Sequence, residues 1–425
     1  MRKLFFLLAG VALLAACEKE PNVAPKVEDE AKQMTALDRY LQRVAEEGIA
    51  MLGDTPTRAG ARRVIDLSRT RAFVKATTRS EEDTLFYVVN FADSTGFALV
   101  DANMESPAPL IAVTEQGNYT PGEVTNSGFD LYMDMLSQNS TRGILPDVEI
   151  DSLPYPDLII KREIEDYYTD WIAKGPYVHV KWGQDSPYNL YCLNTLGQTC
   201  PAGCVAIAVA QIFSSHCHPS TFTVTFNESN TNYSVNWMTM NSHIGAPTGS
   251  GCSSICTDHQ DMQYLIREIG EQVYMDYQTT QSGAYSFDVF NVLSHFSYNY
   301  NVGLRVYAYS LAKSDLDLGR SLYMSGVRSG GAHAWLLDGY KERSHVYRVI
   351  NHYGSGESKV VENTITNYAY LHVNWGWNGM NNGYFLEGVF NIADAYEYDT
   401  NVNSPLVRDY NTNLRLITGI TPATN

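Results

Sequence analysis

The chain turns on one short segment, Thr199-Cys200-Pro201-Ala202-Gly203-Cys204, which runs directly into Val205-Ala206-Ile207-Ala208-Val209-Ala210 and on through Gln211, Ile212 and Phe213. A Pro/Gly turn thus delivers Cys204 to the start of an apolar, alanine-rich helix. A thiol placed there meets the positive end of the helix macrodipole, which favours thiolate over thiol. The same pattern also describes a buried structural cysteine, the ordinary fate of cysteine in such a helix. Two later segments tip the balance. Gly330-Gly331-Ala332-His333-Ala334 supplies a histidine and Val373-Asn374-Trp375-Gly376-Trp377 an asparagine. Nucleophile, base and orienting amide, in the order Cys, His, Asn, are the parts of a thiol-dependent acyl-transfer centre.

These segments resemble the streptopain family of bacterial secreted cysteine peptidases. The family's nucleophile signature, roughly Gly-Cys-Val-Ala-Thr-Ala-x-Ala-Gln, runs here from Gly203 to Gln211 with Ile207 at the threonine position. Its Gly-Gly-His-Ala signature is met by Gly331-Ala332-His333-Ala334, followed by Trp335-Leu336-Leu337-Asp338-Gly339, with an alanine intervening. The signature His-Val-Asn-Trp-Gly-Trp-Gly-Gly spans His372 to Gly379, with Asn378 at the penultimate glycine. A fourth stretch, Gly183-Gln184-Asp185-Ser186-Pro187-Tyr188-Asn189, matches the family's segment carrying an oxyanion glutamine.

The resemblance implies an α+β protein, a two-lobed papain-like peptidase domain preceded by a small α+β propeptide domain. It assigns Cys204 as nucleophile, His333 as its acid–base partner, Asn374 as the amide that orients His333, and Gln184 as an oxyanion donor beside the Cys204 backbone N–H. Trp375, Trp377, Gly331 and Ala332 are expected to shape the substrate pocket. Protein or peptide substrates and the chain's own propeptide are the partners implied, and no cofactor is required. A peptidase fold with little catalysis, used for adhesion or binding, stays open because of the departures at Ile207, Ala332 and Asn378.

Charge narrows the partners further. The 425 residues carry a formal net charge of −17, against nucleic acid or an anionic membrane face, because phosphate binding needs a basic surface. A metal reading of Cys200, Cys204, His216, Cys217 and His218 fails on spacing, since it matches no paired Cys/His zinc pattern.

The N-terminus reads as an export signal: Arg2-Lys3, an apolar run from Leu4 to Leu13, then Leu14-Ala15-Ala16-Cys17. That box resembles the bacterial lipoprotein box, which makes residues 1–16 a signal peptide and Cys17 the lipidated first residue. A plain signal peptide is the alternative. Residues 17–34 read as a polar tether, and the membrane is expected to be met only through the lipid, at an outer membrane or cell surface. In an oxidising compartment five cysteines remain, an odd number; Cys252 and Cys256 could close a local disulfide, and the other connectivity is open.

Residues 35–142 are expected to form the inhibitory propeptide: a helix over 35–52 behind a Thr35 cap with Asp38 three on, then strands near 84–91, 97–100 and 110–113. An independent adhesion domain is the alternative reading. Residues 143–175 read as an acidic, loop-like activation linker, and 176–425 as the peptidase. Within it helices are predicted over 258–277 and 287–298, and strands over 303–310, 333–340, 346–351, 368–374 and 383–385.

Overall fold

The structure, a computed structural model, describes residues 34–53, 62–75, 83–120, 127–138, 159–226, 229–242, 260–328, 331–390 and 414–423. The expected signal peptide, Cys17, most of the tether, and the Cys252–Cys256 loop lie outside them.

The first helix, α1 (Ala36–Leu52), starts where its sequence dictates. The Thr35 hydroxyl accepts from the Asp38 N–H while the Asp38 carboxylate accepts from the Thr35 N–H, a reciprocal cap. Four antiparallel strands follow: β1 (Arg71–Lys75), β2 (Asp83–Asn90), β3 (Phe97–Asp101) and β4 (Leu110–Thr114). A second helix, α2 (Ser127–Gln138), was not foreseen. Next come β5 (Ile159–Tyr168) and β6 (Ile172–Lys174). The helical part holds α3 (Cys204–His216), the hairpin β7 (Thr221–Phe226) and β8 (Ser229–Ser234), α4 (Trp237–Ser242), α5 (Gln260–Gln272), α6 (Val289–His295) and the short β9 (Tyr298–Asn299). The predicted strand over 303–310 is only β10 (Arg305–Val306), succeeded by α7 (Tyr309–Asp317). The chain closes with β11 (Leu322–Arg328), β12 (Gly331–Tyr353), β13 (Ser358–Asn374), β14 (Gly383–Leu386), β15 (Arg415–Ile417) and β16 (Thr421–Pro422), the last pairing β9.

One sheet joins the two ends of the chain, in the order β1-β2-β3-β4-β14-β13-β12-β11-β15-β10. The junction is β4 against β14, with Gly383 opposite Thr114 and Phe385 opposite Ala112. A side chain at Gly383 would lie 2.1 Å from the Val113 carbonyl oxygen, so glycine is what lets the two backbones meet. Helices cover both faces of the joined sheet. On one, Tyr40, Leu41 and Val44 of α1 pack on Val89, Val100, Val113, Tyr370 and Tyr384. On the other, Phe129, Tyr132 and Leu136 of α2 pack on Leu99, Trp335, Leu371, Trp375 and Phe385. Each such buried side chain contributes about 1.5–3 kcal/mol of transfer free energy. The third core belongs to the helical part, where α3 and α5 pack with Tyr323, Ala334 and Leu336. Along β12 the strand alternation therefore sends Ala334 and Leu336 towards α3 and Trp335 and Leu337 towards α2.

Two predicted strands, 333–340 and 346–351, are halves of one long strand, and the expected loop-like linker is partly strand. One edge of β12 takes β13 along its length; the other takes β11, β6 and β5 in turn. β5 reads as charged because it sits on an exposed ribbon and is held by cross-strand polar contacts, His345–Asp166 at 2.6 Å and His352–Glu163 at 3.1 Å, and by the Arg348–Glu165 ion pair at 3.3 Å. Peptidases bind substrate as a free extended strand, and paired backbone is not free. Limited trypsin digestion of the folded chain should therefore spare the bonds after Lys161, Arg162 and Lys174 until the ribbon is denatured. Cleavage there at the rate of an unstructured peptide, read by mass spectrometry, would contradict this pairing.

Candidate active site

Cys204 owes its place to Gly203. That residue adopts φ +87, and a Cβ there would lie 2.6 Å from the Met275 side chain, so only glycine can turn the chain into α3. The turn is held from upstream: the Ala202 N–H donates to the Gln184 carbonyl at 2.8 Å, and Asn189 Nδ2 donates to the Cys200 carbonyl at 3.0 Å. This brings Gln184, which is buried, beside the nucleophile turn, as the sequence suggested. The half-buried Cys204 thiol faces the backbone N–H groups of Ala334, Val205 and Cys204 itself. Burial raises its pKa above the ordinary thiol value, and those amides offset only part of the rise.

His333 lies on the other face of β12. Its ring is stacked against Trp335, with centroids 6.1 Å apart, and tilted against Trp377 at 6.2 Å. Nε2 is 3.0 Å from the Trp375 carbonyl oxygen and 3.4 Å from Trp377 Nε1. One ring nitrogen cannot donate and accept at once, and the shorter contact puts the proton on Nε2, donating to Trp375. The start of α2 rests on this edge of the ring. A Cβ at Gly128 would fall 2.3 Å from His333 Cδ2, 2.9 Å from Nε2 and 2.6 Å from the Trp375 indole.

Asn374 is placed differently from the expectation. Its Nδ2 donates to the Val180 carbonyl and to Gln211 Oε1, both at 2.9 Å, and its Oδ1 accepts from the Gly376 N–H at 3.1 Å. The partner of His333 Nε2 is the next residue's carbonyl, so Asn374 acts through the turn it braces. Gln211 on α3 also accepts from the Trp182 N–H at 3.0 Å. Sequence reasoning missed this hub, although a glutamine seven residues after Cys204, two turns along an apolar helix, was the available signal.

The departures from the family pattern have physical explanations. Ile207 is fully buried, and its methyl fills the space beside Gly376, where a Cβ would lie 3.2 Å away. Asn378 has φ +55, a left-handed position that asparagine tolerates nearly as well as glycine. Ala332 is exposed on β12 opposite Val327, next to Gly331, while Trp375 is buried and Trp377 partly so.

A second, buried cluster ties the N-terminal unit to this lobe. His372 Nδ1 is 2.5 Å from Asp338 Oδ1, and its Nε2 is 3.3 Å from Glu115 Oε1, at the end of β4. Lys181 reaches the same carboxylate at 2.5 Å. Burial alone would lower the His372 pKa, but Asp338 and Glu115 outweigh it and raise it to about 9. Burial would raise Glu115, and His372 with Lys181 instead hold it well below the usual carboxylate range.

The sign of the pH dependence follows. The raised histidine contributes stability that is fully present below its ordinary value of 6.5 and lost as pH climbs through about 9. The depressed glutamate contributes stability present above 4.5 and lost only in strong acid. Thermal unfolding of a Cys204→Ala chain should therefore show a loss of Tm between pH 7 and pH 10, and His372→Gln should flatten that alkaline limb. An unchanged limb in the variant would show that His372 does not carry the linkage.

Comparisons with known proteins agree with this geometry. The sequence profile described as Peptidase C10 family matches residues 182–385, which hold Gln184, Cys204, His333 and Asn374. Streptopain of Streptococcus pyogenes is 25% identical over 361 residues, 74% of this chain and 80% of its own. The thiol protease/hemagglutinin PrtT of Porphyromonas gingivalis is 23% identical over 374 residues, 81% of this chain and 38% of its own. Among solved structures, a prointerpain A fragment of Prevotella intermedia superposes with a TM-score of 0.50 at 19% identity, covering 84% of this chain and 100% of that one, which bears on the fold. The chain is a cysteine-type endopeptidase, and its residues 182–385 match the Peptidase C10 family.

Proposed function

We propose that the chain is the precursor of an exported, lipid-anchored endopeptidase, held latent by its own N-terminal unit until a cut between about Arg142 and Gly175 releases it. The observation that carries this reading is Gly128, where α2 lies against the Nε2 edge of His333 with no room for even a methyl group. While α2 is seated, the imidazole lies among Trp335, Trp375 and Trp377, and burial raises the pKa of the Cys204 thiol.

Once α2 leaves, the start of β12 that carries His333 is free to shift and bring the ring within reach of the thiol. Cys204 then attacks the scissile carbonyl as thiolate, the proton passing to His333. The tetrahedral oxyanion takes the Gln184 amide and the Cys204 N–H, and a thioester forms as His333 protonates the leaving amine. Water activated by His333 hydrolyses the thioester and restores the thiol. Residues of roughly 35–142 serve as the inhibitor, and their tethering gives an effective concentration of about mM for a short flexible linker.

In the test, precursor and processed enzyme are assayed on a peptide substrate. Gly128→Leu should raise precursor activity at least about tenfold, a loss of about 1.4 kcal/mol of seating, and leave the processed enzyme unchanged. Cys204→Ala should remove activity from both by about 10⁴-fold or more. A precursor that matches the processed enzyme in rate would end the latency reading and favour an adhesion domain. Full activity of Cys204→Ala would end the nucleophile assignment.

Export through a lipid on Cys17 rests on the Leu14-Ala15-Ala16-Cys17 box. Cys17→Ser should move the protein from the membrane fraction to the soluble one or block signal removal. Unaltered fractionation with normal signal removal would argue for an ordinary cleavage site.

A further inference from the structure

Two cysteines that take no part in the chemistry at Cys204 face each other in the turn leading up to it. Leu193 and Thr199 form an antiparallel bridge. It is flanked by the Cys200 N–H donating to the Cys192 carbonyl at 2.8 Å and the Asn194 N–H donating to the Gln198 carbonyl at 3.0 Å. This register sets Cys192 directly opposite Cys200 with both side chains on the same face of the turn. Opposed residues of this kind have Cα atoms about 5.5 Å apart, near the centre of the range that disulfides span. Both side chains are fully buried, in the same core as Ala202, Val205 and Tyr277. In the structure both are thiols, and Cys200 Sγ makes only a weak contact, 3.4 Å to the Gln198 carbonyl.

We propose that Cys192 and Cys200 are a disulfide site, closed when the chain folds in an oxidising compartment. The turn they would cross-link joins the two halves of the nucleophile's support. Upstream lies the segment whose Gln184 carbonyl and Asn189 amide hold Ala202 and Cys200. Downstream, four residues on, is Cys204. A bond across the turn keeps these contacts in register during catalysis and restricts the unfolded chain.

The chemistry balances with a small disulfide or a disulfide oxidoreductase as oxidant. The Cys192 thiolate, its proton lost to solvent, attacks one sulfur of the oxidant and expels the other as a thiolate. The Cys200 thiolate then attacks the Cys192 sulfur and expels the second thiolate of the oxidant. Two protein thiols are oxidised and one external disulfide is reduced. Because burial holds the Cys192 thiol at about 12, exchange belongs to the opening or folding chain and the closed protein is inert to it.

The compartment is part of the export reading, so the experiment supplies its own oxidant. Full-length Cys204→Ala protein is unfolded, refolded in a glutathione redox buffer, blocked with iodoacetamide after denaturation, and mapped without reduction. The expected result is a cross-linked peptide pairing Cys192 with Cys200, lighter by two hydrogens, with neither residue alkylated. Dithiothreitol present during thermal unfolding should lower Tm by several degrees, and the Cys192→Ala/Cys200→Ala double variant should lose that sensitivity. Alkylation of both residues after refolding, or pairing of either with another cysteine, would overturn the proposal. So would a double variant as sensitive to reductant as its parent.

Discussion

The peptidase hangs on a buried polar junction between the Gln211 and Asn374 side chains. Gln211 comes from the cysteine helix and Asn374 from the end of β13, and they meet at 2.9 Å with no exposed atoms of note. Around that bond the Trp182 N–H, the Val180 carbonyl and the Gly376 N–H are all satisfied. The nucleophile helix, the irregular segment leading to Gln184 and the turn that aims the Trp375 carbonyl at His333 are thereby fixed relative to one another. In an apolar interior such bonds are electrostatically strong, and losing one partner strands the others at about 1–3 kcal/mol each. The junction gives the asparagine beside the tryptophan motif a bracing part in the turn that carries Trp375.

The N-terminal unit is built into the same sheet as the peptidase. Its four strands extend that sheet through β4 and β14, and α1 and α2 bury opposite faces. Charge reinforces the junction at two places: Glu115 meets His372 and Lys181 in the interior, while Arg343 pairs with Glu47 of α1 and lies over Trp171 and Tyr168. On the proposed function, latency then has a mechanical basis. The helix that completes the shared core is the helix whose first glycine presses on His333.

What was legible in the sequence was local. The α1 cap, the Gly203 turn and the Cys204 helix each announce themselves within a few residues, because capping and positive φ select residue types at one place. The nucleophile was legible as a candidate from its turn, and the histidine and the glutamine from the resemblance of their short segments to a known family. The pairing of β5 was not, since a strand exposed on both faces carries no apolar alternation and is specified by partners such as His345 and His352, almost two hundred residues away. The helix α2 was missed between stretches of irregular composition, although Phe129, Tyr132 and Leu136 keep helical spacing. The bonds of Asn374 to Val180 and Gln211 were not legible, because sequence order offers the side chain and conceals which distant groups it meets.

The close fit of Gly383 against Val113 has a consequence for solution behaviour. Separation of the N-terminal unit strips β14 of its neighbour and leaves unpaired N–H and C=O groups from Gly383 to Phe385, bordered by the apolar Leu386 and Tyr384. A glycine at that border offers no side chain to fend off another backbone. On the proposed function, an enzyme freed of that unit carries a short, sticky sheet margin, and its colloidal behaviour depends on how briefly that margin stays bare.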